Sequence, residues 1–290
     1  MAPHSEDYPV STDHQGGRSA ETRLRDLLCE LYERYNRREY VHPDPLEFLY
    51  AYDVIQDREI VALVSSCLAY GAVGQILKSV ACVLSRMEQP RAFLENASLS
   101  SLVRSFRGFK HRFTTGEELA VLLYGVKLVV HRYGSLGTCF AAGWFQEHAD
   151  TTLPALVRFV SELCRGLPYR PRTLLPQPAA GSACKRLHLF LRWMVRHDAV
   201  DPGGWDMIPP SSLLVPVDIH MHRIGQALGF TRRKHADFRA SLEITSAFRR
   251  IAPDDPVRFD FALTRLGIRG DLCPSPFINA CRRIAPSDRS

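Results

Sequence analysis

The segment Leu214-Val-Pro-Val-Asp-Ile-His-Met-His-Arg-Ile-Gly-Gln-Ala-Leu-Gly229 combines a short apolar extended run with a helical pattern. The extended run ends at Asp218, which suits the N-cap because its carboxylate can accept the free N–H groups of the first helical turn. Gly229 ends the helix. A carboxylate held in this way is oriented by the backbone. It can serve as an ordinary helix cap or as a catalytic anion.

Helical periodicity extends over most of the chain. The clearest amphipathic patterns cover residues 21–40, 117–131, 153–164, 182–196 and 235–251. A further helix is predicted over residues 256–267, with Asp255 as its cap and Pro256 at its first position. Because no alternating strand pattern of convincing length occurs, we predict an all-α fold.

The longest uncharged run extends from Ile60 to Leu77. Gly71 is expected to divide it between two helices, so a buried helical hairpin is favoured over a membrane span. Residues 1–18 are polar and lack an apolar secretory segment, which predicts a disordered tail before a helical domain over residues 19–290.

The formal net charge of +6 is unevenly distributed. Residues 1–181 contain 20 basic and 20 acidic side chains, whereas residues 182–290 contain 17 basic and 11 acidic ones. Nearly all of the excess is arginine, whose planar guanidinium suits phosphate. A polyanionic partner and a solvated basic surface both fit this distribution.

The eight cysteines are scattered and form no CxxC pair. Their spacing matches neither a disulfide framework nor a tetrahedral zinc site, so we expect a reducing, cytoplasmic setting. We expect no metal and no cofactor.

Lys185 lies in Gly181-Ser-Ala-Cys-Lys-Arg-Leu187, in the first turn of its predicted helix. The helix dipole opposes a cation there and so favours the neutral amine, which is the nucleophilic form. The free N–H groups of the same turn can bind a phosphate. The alternative is an ordinary surface lysine.

The stretch from Val217 to Gly229 resembles the helix-hairpin-helix DNA glycosylase superfamily, whose signature is Val-Asp-Thr-His-Val, then Arg, then Leu-Gly. The essential aspartate of that superfamily matches Asp218. In bifunctional members, a lysine at the start of the hairpin's second helix forms a Schiff base with deoxyribose, and it matches Lys185. The resemblance implies two helical subdomains with a cleft between them, the hairpin and catalytic segment covering about residues 153–230.

Nearly all of residues 20–285 resembles a bacterial family of unassigned function. The motifs in this sequence are His42-Pro-Asp-Pro45, Ser182-Ala-Cys-Lys-Arg186, Leu191-Arg-Trp-Met-Val-Arg196, Asp201-Pro-Gly-Gly-Trp205, Pro216-Val-Asp-Ile-His220 and Pro253-Asp-Asp-Pro256.

The chain departs from the glycosylase pattern in three ways. Leu175-Pro-Gln-Pro-Ala-Ala-Gly181 replaces the usual Leu-Pro-Gly-Val-Gly hairpin turn. The interval from Lys185 to Asp218 is nearly twice the usual one, a feature shared with the archaeal 8-oxoguanine glycosylase branch. Only Cys273 and Cys281 occupy the region where many relatives bind an iron–sulfur cluster, which needs four thiolates, so no cluster is expected.

The resemblance implies a DNA glycosylase with AP lyase activity on a damaged base, with oxidised purines as one candidate class. The base would be flipped out of the duplex into a pocket. Lys185 would attack the glycosidic carbon and form an imine, while Asp218 would help deprotonate the amine and stabilise the developing positive charge.

The remaining predicted site residues bind DNA or the flipped base. The candidates for DNA contacts are Gly181, Ser182, Arg186 and Arg223, of which the two arginines also fit plain surface positions. Trp193 and Trp205 would stack on a base or, alternatively, belong to the core.

The expected partner is double-stranded DNA with a damaged base, bound by a monomer without a membrane. One alternative is a non-catalytic nucleic-acid-binding protein on the same scaffold, and another is a metal-dependent hydrolase that uses His197 and Asp198. His220 and His222 are predicted to point to different helix faces and so not to form a zinc pair.

Overall fold

The computed structural model describes residues 19–147, 149–178, 181–268 and 275–284, so the predicted N-terminal tail lies outside the described residues. The α-helices are α1 (Ala20–Tyr35), α2 (Ile55–Cys67), α3 (Val73–Leu84), α4 (Pro90–Glu95), α5 (Leu99–Ser105), α6 (Gly116–Tyr133), α7 (Leu136–Glu147), α8 (Leu153–Cys164), α9 (Lys185–Val195), α10 (Ile219–Ala227), α11 (Phe238–Ile251), α12 (Asp260–Ile268) and α13 (Ser275–Ile284). Short 3-10 helices cover Arg38–Tyr40, Pro45–Ala51 and Pro210–Ser212. The structure is mostly helical, which confirms the predicted all-α class.

One small hairpin accompanies the helices. Strand β1 (Lys110–His111) pairs antiparallel with β2 (Thr114–Thr115). Strands this short have no periodicity that a sequence pattern could show.

Two helix boundaries follow local backbone geometry. Gly71 has φ +98° and separates α2 from α3, which confirms the predicted helical hairpin. Helix α9 begins at Lys185 rather than at residue 182, because Cys184 before it has the left-handed φ of 44°.

The predicted helix cap at Asp255 is wrong. Helix α12 begins at Asp260, and residues 256–259 form turns. The Asp255 carboxylate instead accepts a hydrogen bond from Nε of Arg196 at 2.9 Å. A strong charge partner elsewhere in the fold therefore outweighs a local capping pattern.

Helix α2 lies at the centre of the core and packs against α9 and the 3-10 helix Pro45–Ala51. All of its residues from 59 to 67 are buried, as expected for a helix surrounded by other elements. One of them, Glu59, accepts hydrogen bonds from the backbone N–H groups of Leu136 (2.6 Å) and Gly137 (2.9 Å). Burial raises the pKa of Glu59, and these bonds to the start of α7 oppose that rise.

A buried ionic cluster connects the C-terminal end of α9 to the loop that follows it, to the loop before α12 and to the start of α12. Asp201 is fully buried and accepts hydrogen bonds from the guanidinium groups of both Arg192 and Arg196. Arg192 also pairs with Asp260 at the start of α12, and Arg196 with Asp198. A buried charge is tolerated only when it is paired and hydrogen-bonded, so these residues fix the position of α9.

Within the described residues, no single helix is long and apolar enough to cross a membrane. Helices α6 and α7 reach that length and hydropathy only when taken together, and they are bent by 68° at the break between them.

We predict that Asp201→Ala strongly destabilises the protein, because it leaves two buried guanidinium groups without their shared acceptor. The expected loss in the free energy of unfolding is about 3–5 kcal/mol, measured by chemical denaturation at pH 7. Asp206→Ala, on the exposed side of the same loop, is the matched control and should change stability by less than about 0.5 kcal/mol. A loss for Asp201→Ala no larger than that of the control would contradict the role of the cluster.

Candidate active site

Asp218 is the N-cap of α10, as predicted. Residues 213–217 before it are buried, and its Oδ1 accepts a hydrogen bond from the backbone N–H of Met221 at 2.9 Å. Gly229, just after the helix, has φ +72°, a conformation that glycine adopts without strain. One carboxylate oxygen is thus fixed by the helix, and the other is free for a second partner.

The second partner of Asp218 is Lys185. The Lys185 Nζ lies 2.9 Å from Asp218 Oδ2, although 33 positions separate the two residues in the chain. The side chains are 32% and 18% exposed. Burial raises the pKa of Asp218, but the Lys185 ammonium and the Met221 N–H outweigh this effect and hold the pKa below its ordinary value. The carboxylate is therefore ionised at neutral pH and can accept a proton from the amine only during a reaction.

Lys185 and Asp218 line a cleft of about 350 Å³, within the size range of small-molecule binding pockets. Other residues that line the cleft come from distant parts of the chain. They include Asp44, Tyr70, Gly71, Trp193 and His220. The cleft is open to solvent and large enough for one nucleobase.

His220 is held against the far wall of the cleft. A Cβ at Gly267 would lie 2.7 Å from His220 Nδ1, so the glycine permits this close packing of α12 on α10. His222 is buried and does not line the cleft. The two histidines thus occupy different environments, as the sequence predicts.

The two predicted stacking residues have different positions. Trp193 lines the cleft, although only 1% of its surface is exposed. Trp205 does not line it. Its indole N–H donates to Glu59 at 3.1 Å, and its ring packs on Phe140 with centroids 5.4 Å apart. The placement of Trp205 in a base pocket is therefore corrected: it is a core residue.

Arg186 is bound to the protein itself. Its Nη1 donates to the carbonyl oxygen of Cys67 at 2.5 Å, and its guanidinium lies 4.8 Å from the centroid of the Tyr70 ring. Arg186 thus supports the wall of the cleft, and its predicted phosphate contact stays a prediction. Arg223 is exposed on α10, where it can contact a ligand.

The predicted phosphate-binding turn is exposed and is tied to the start of α11. Gly181 has φ +80°, its carbonyl accepts a hydrogen bond from the N–H of Phe238, and Ser182 forms a β-bridge with Asp237. This connection places the α10–α11 loop beside the turn. The loop and the start of α11 contribute exposed cations that no sequence motif indicates: Arg232, Lys234 and Arg239.

The sequence also did not indicate the exposed β1–β2 turn, which packs against Gly71 of the cleft. The β1–β2 turn exposes Phe113, whose side chain is 73% exposed, beside the exposed Arg112. Arg112 has φ +50° and packs so closely on Gly71 that a Cβ there would lie 2.8 Å from its Cδ. An exposed aromatic ring among cations is typical of surfaces that bind single-stranded or unstacked nucleic acid. The only sequence signal is the run Lys110-His-Arg-Phe113.

The His197–Asp198 pair does not form a metal-binding arrangement. Asp198 accepts hydrogen bonds from three side chains at the ends of α1 and α9: Tyr32 of α1, Asn36 just after α1, and Arg196 just after α9. Despite burial, Arg196 and nearby backbone N–H groups lower the pKa of Asp198 to about 2. His197 is exposed, and no group of three or more potential metal ligands occurs among the described residues. Cys273 is one of the two cysteines in the region where many glycosylases bind an iron–sulfur cluster, and it lies outside the described residues.

A family model described as a protein of unknown function (DUF2400) matches residues 44–269. The chain belongs to this family. The matched span includes Asp44, Lys185, Asp218 and His220, so most of the cleft lies within the shared region. The match confirms the predicted uncharacterised family and gives no link to DNA glycosylases. No curated protein and no solved structure matches the chain.

We predict that Asp218→Asn lowers the free energy of unfolding at pH 7 by only about 1 kcal/mol, because asparagine caps helices as well as aspartate does. The lost stability comes from the charge facing Lys185. Since the pKa of Asp218 is held low in the folded protein, this contribution is present above the unfolded pKa of about 4 and is lost as the pH falls through the folded pKa.

Denaturation of wild type and Asp218→Asn at several pH values measures this difference. The difference in the free energy of unfolding between wild type and Asp218→Asn should narrow as the pH is lowered below about 4. A difference that grows on acidification would show that the Asp218 carboxylate is not stabilised by Lys185.

Proposed function

We propose that the protein is a DNA glycosylase with AP lyase activity, which excises a damaged base through a Schiff base on Lys185. The central observation is the 2.9 Å contact between the Lys185 amine and a helix-capping carboxylate in a cleft of about 350 Å³. The resemblance of residues 217–229 to the glycosylase signature adds to this observation.

The two side chains supply complementary parts of the reaction. Asp218 accepts a proton from the Lys185 ammonium, and the neutral amine attacks C1′ of the deoxyribose. The bond between C1′ and the base breaks, and the departing base takes up the proton that Asp218 accepted. The sugar ring then opens as O4′ takes up the amine proton, which leaves an imine on Lys185. Loss of a C2′ proton to solvent from this imine expels the 3′ phosphate by β-elimination. Once its proton has passed to the base, the Asp218 carboxylate stabilises positive charge that develops on the sugar.

The walls of the cleft support a base-binding role. One side is formed by residues between 43 and 76 and the other by residues between 185 and 267. This arrangement is compatible with the expected pair of helical subdomains around a cleft. A reaction at a glycosidic carbon requires that the base leave the duplex, and a recessed pair of reacting groups fits a flipped base.

The charge around the cleft supports a polyanionic partner. Arg232, Lys234 and Arg239 are exposed near Gly181, and Arg223 is exposed on α10. The acidic side chains nearby have partners of their own: Asp237 caps α11, and Glu243 binds Arg233 and Thr231. This leaves a basic surface suited to phosphate contacts.

A non-catalytic nucleic-acid-binding protein is the second candidate. The observation in its favour is the ion pair itself, because a lysine paired with aspartate at rest is not a free nucleophile. The two candidates predict the same DNA binding and differ only in covalent chemistry.

Borohydride trapping on DNA with an abasic site separates the two candidates. We expect a covalent adduct with the wild-type protein and none with Lys185→Ala, because reduction fixes the imine that this lysine forms. Lys78→Ala, at an exposed lysine of α3, is the matched control and should form the adduct at the wild-type rate. Normal DNA binding without any adduct would instead favour the non-catalytic protein.

Salt titration of DNA binding checks the basic surface. We expect that changing Arg232, Lys234 and Arg239 together to glutamine weakens binding and reduces the slope of log K against log salt by about 0.9 for each lost phosphate contact. The control changes Arg158 on α8 and Arg165 just after it, which pair with glutamates. Equal slopes for the triple variant and wild type would remove this surface from the DNA interface.

A further inference from the structure

The motif His42-Pro-Asp-Pro45 has no role in the proposed excision chemistry, yet its aspartate lines the same cleft as Lys185 and Asp218. The Asp44 side chain is 16% exposed and its carboxylate is fixed at both oxygens. Oδ1 accepts the backbone N–H of Leu46 at 2.9 Å, and Oδ2 accepts Nη2 of Arg265 at 2.7 Å. Arg265 is itself only 2% exposed, so its side chain lies in the interior of the protein.

This anchoring leaves part of the carboxylate available. An ionised carboxylate has about four acceptor positions, of which Leu46 and Arg265 occupy one on each oxygen. The group cannot rotate without losing both contacts. Asp44 therefore lines the cleft with a fixed carboxylate that keeps an acceptor position on each of two adjacent oxygens and has no donor.

Two adjacent acceptors select among the nucleobases by chemistry. A guanine-type edge offers two neighbouring donors, the ring N1–H and the exocyclic 2-amino group. Uracil and thymine have one N–H between two carbonyl oxygens, which a carboxylate repels, and adenine has an amino group next to an acceptor nitrogen. A buried acceptor that is left unpaired costs binding energy, so the mismatched bases are disfavoured.

We infer that Asp44 is the base-recognition residue of the cleft and that the excised base is a purine with a guanine-type edge. The inference rests on the proposed glycosylase function. Asp44 binds the edge of the flipped base, while Lys185 and Asp218 act at its sugar. The contacts of Asp44 with Arg265 and Leu46 keep the acceptor oriented, so the specificity is present before the DNA binds.

The test compares single-turnover excision of two bases that differ by one amino group, 8-oxoguanine and 8-oxohypoxanthine, from otherwise identical duplexes. Wild type should excise 8-oxoguanine at least about ten-fold faster, because loss of one contact of a bidentate pair leaves one acceptor of the carboxylate unpaired. In Asp44→Asn a side-chain amide donor faces the base, so excision of 8-oxoguanine should fall at least about ten-fold and the preference should disappear.

Borohydride trapping on abasic DNA distinguishes this inference from the proposed function. Such DNA offers no base to recognise, so Asp44→Asn should form the adduct as wild type does. Glu47→Gln is the matched control and should keep the base preference. Glu47 is hydrogen-bonded to His42 and does not line the cleft.

An Asp44→Asn variant that excises more slowly but keeps the wild-type preference would show that Asp44 only caps its 3-10 helix, and would overturn the inference. So would a wild type that forms the abasic adduct yet excises uracil or thymine glycol in place of guanine-type bases. Absence of any adduct in wild type would overturn the proposed function, and the inference with it.

Discussion

The buried pairing of Arg192 and Arg196 with Asp201 is the constraint on which the site depends. Arg192 belongs to α9, the helix that begins at Lys185 and also contains Trp193, and Arg196 directly follows its last residue. Asp260 joins the same cluster from the start of α12, whose Gly267 packs against His220. One ionic cluster thus sets the positions of the cleft wall and of the helix that holds the amine. Such pairs are costly to break because each partner would be left charged in the interior.

The helix cap and the fold class could be predicted because they depend on local rules. Helical spacing predicts an all-α protein, and an aspartate before an apolar helix predicts a cap; the contact of Asp218 with Met221 N–H confirms the second. The motif resemblance implies that Lys185 and Asp218 belong to one site, and their side chains lie in contact. No local rule predicts this contact, because 33 positions separate the two residues.

Other features depend on contacts between distant segments, which no local pattern contains. Trp205 has an aromatic side chain of the kind that stacks on bases, but its indole N–H donates to Glu59, a residue 146 positions away. Arg186 resembles a phosphate ligand, and its contact with the carbonyl of Cys67, 119 positions away, could not be predicted. Asp44 lines the cleft with one carboxylate oxygen held by Arg265, 221 positions later in the chain. In each case the burial and the partner decide the role, and both are properties of the folded chain.

The proposed covalent bond between Lys185 and deoxyribose, with Asp218 as proton acceptor, can be examined without a mutation. Peptide mapping by mass spectrometry of the borohydride-reduced complex with abasic-site DNA identifies the modified residue. We expect a deoxyribose-derived adduct on the peptide that contains Lys185. An adduct on another lysine, or on the N-terminal amine, would show that Lys185 is not the nucleophile.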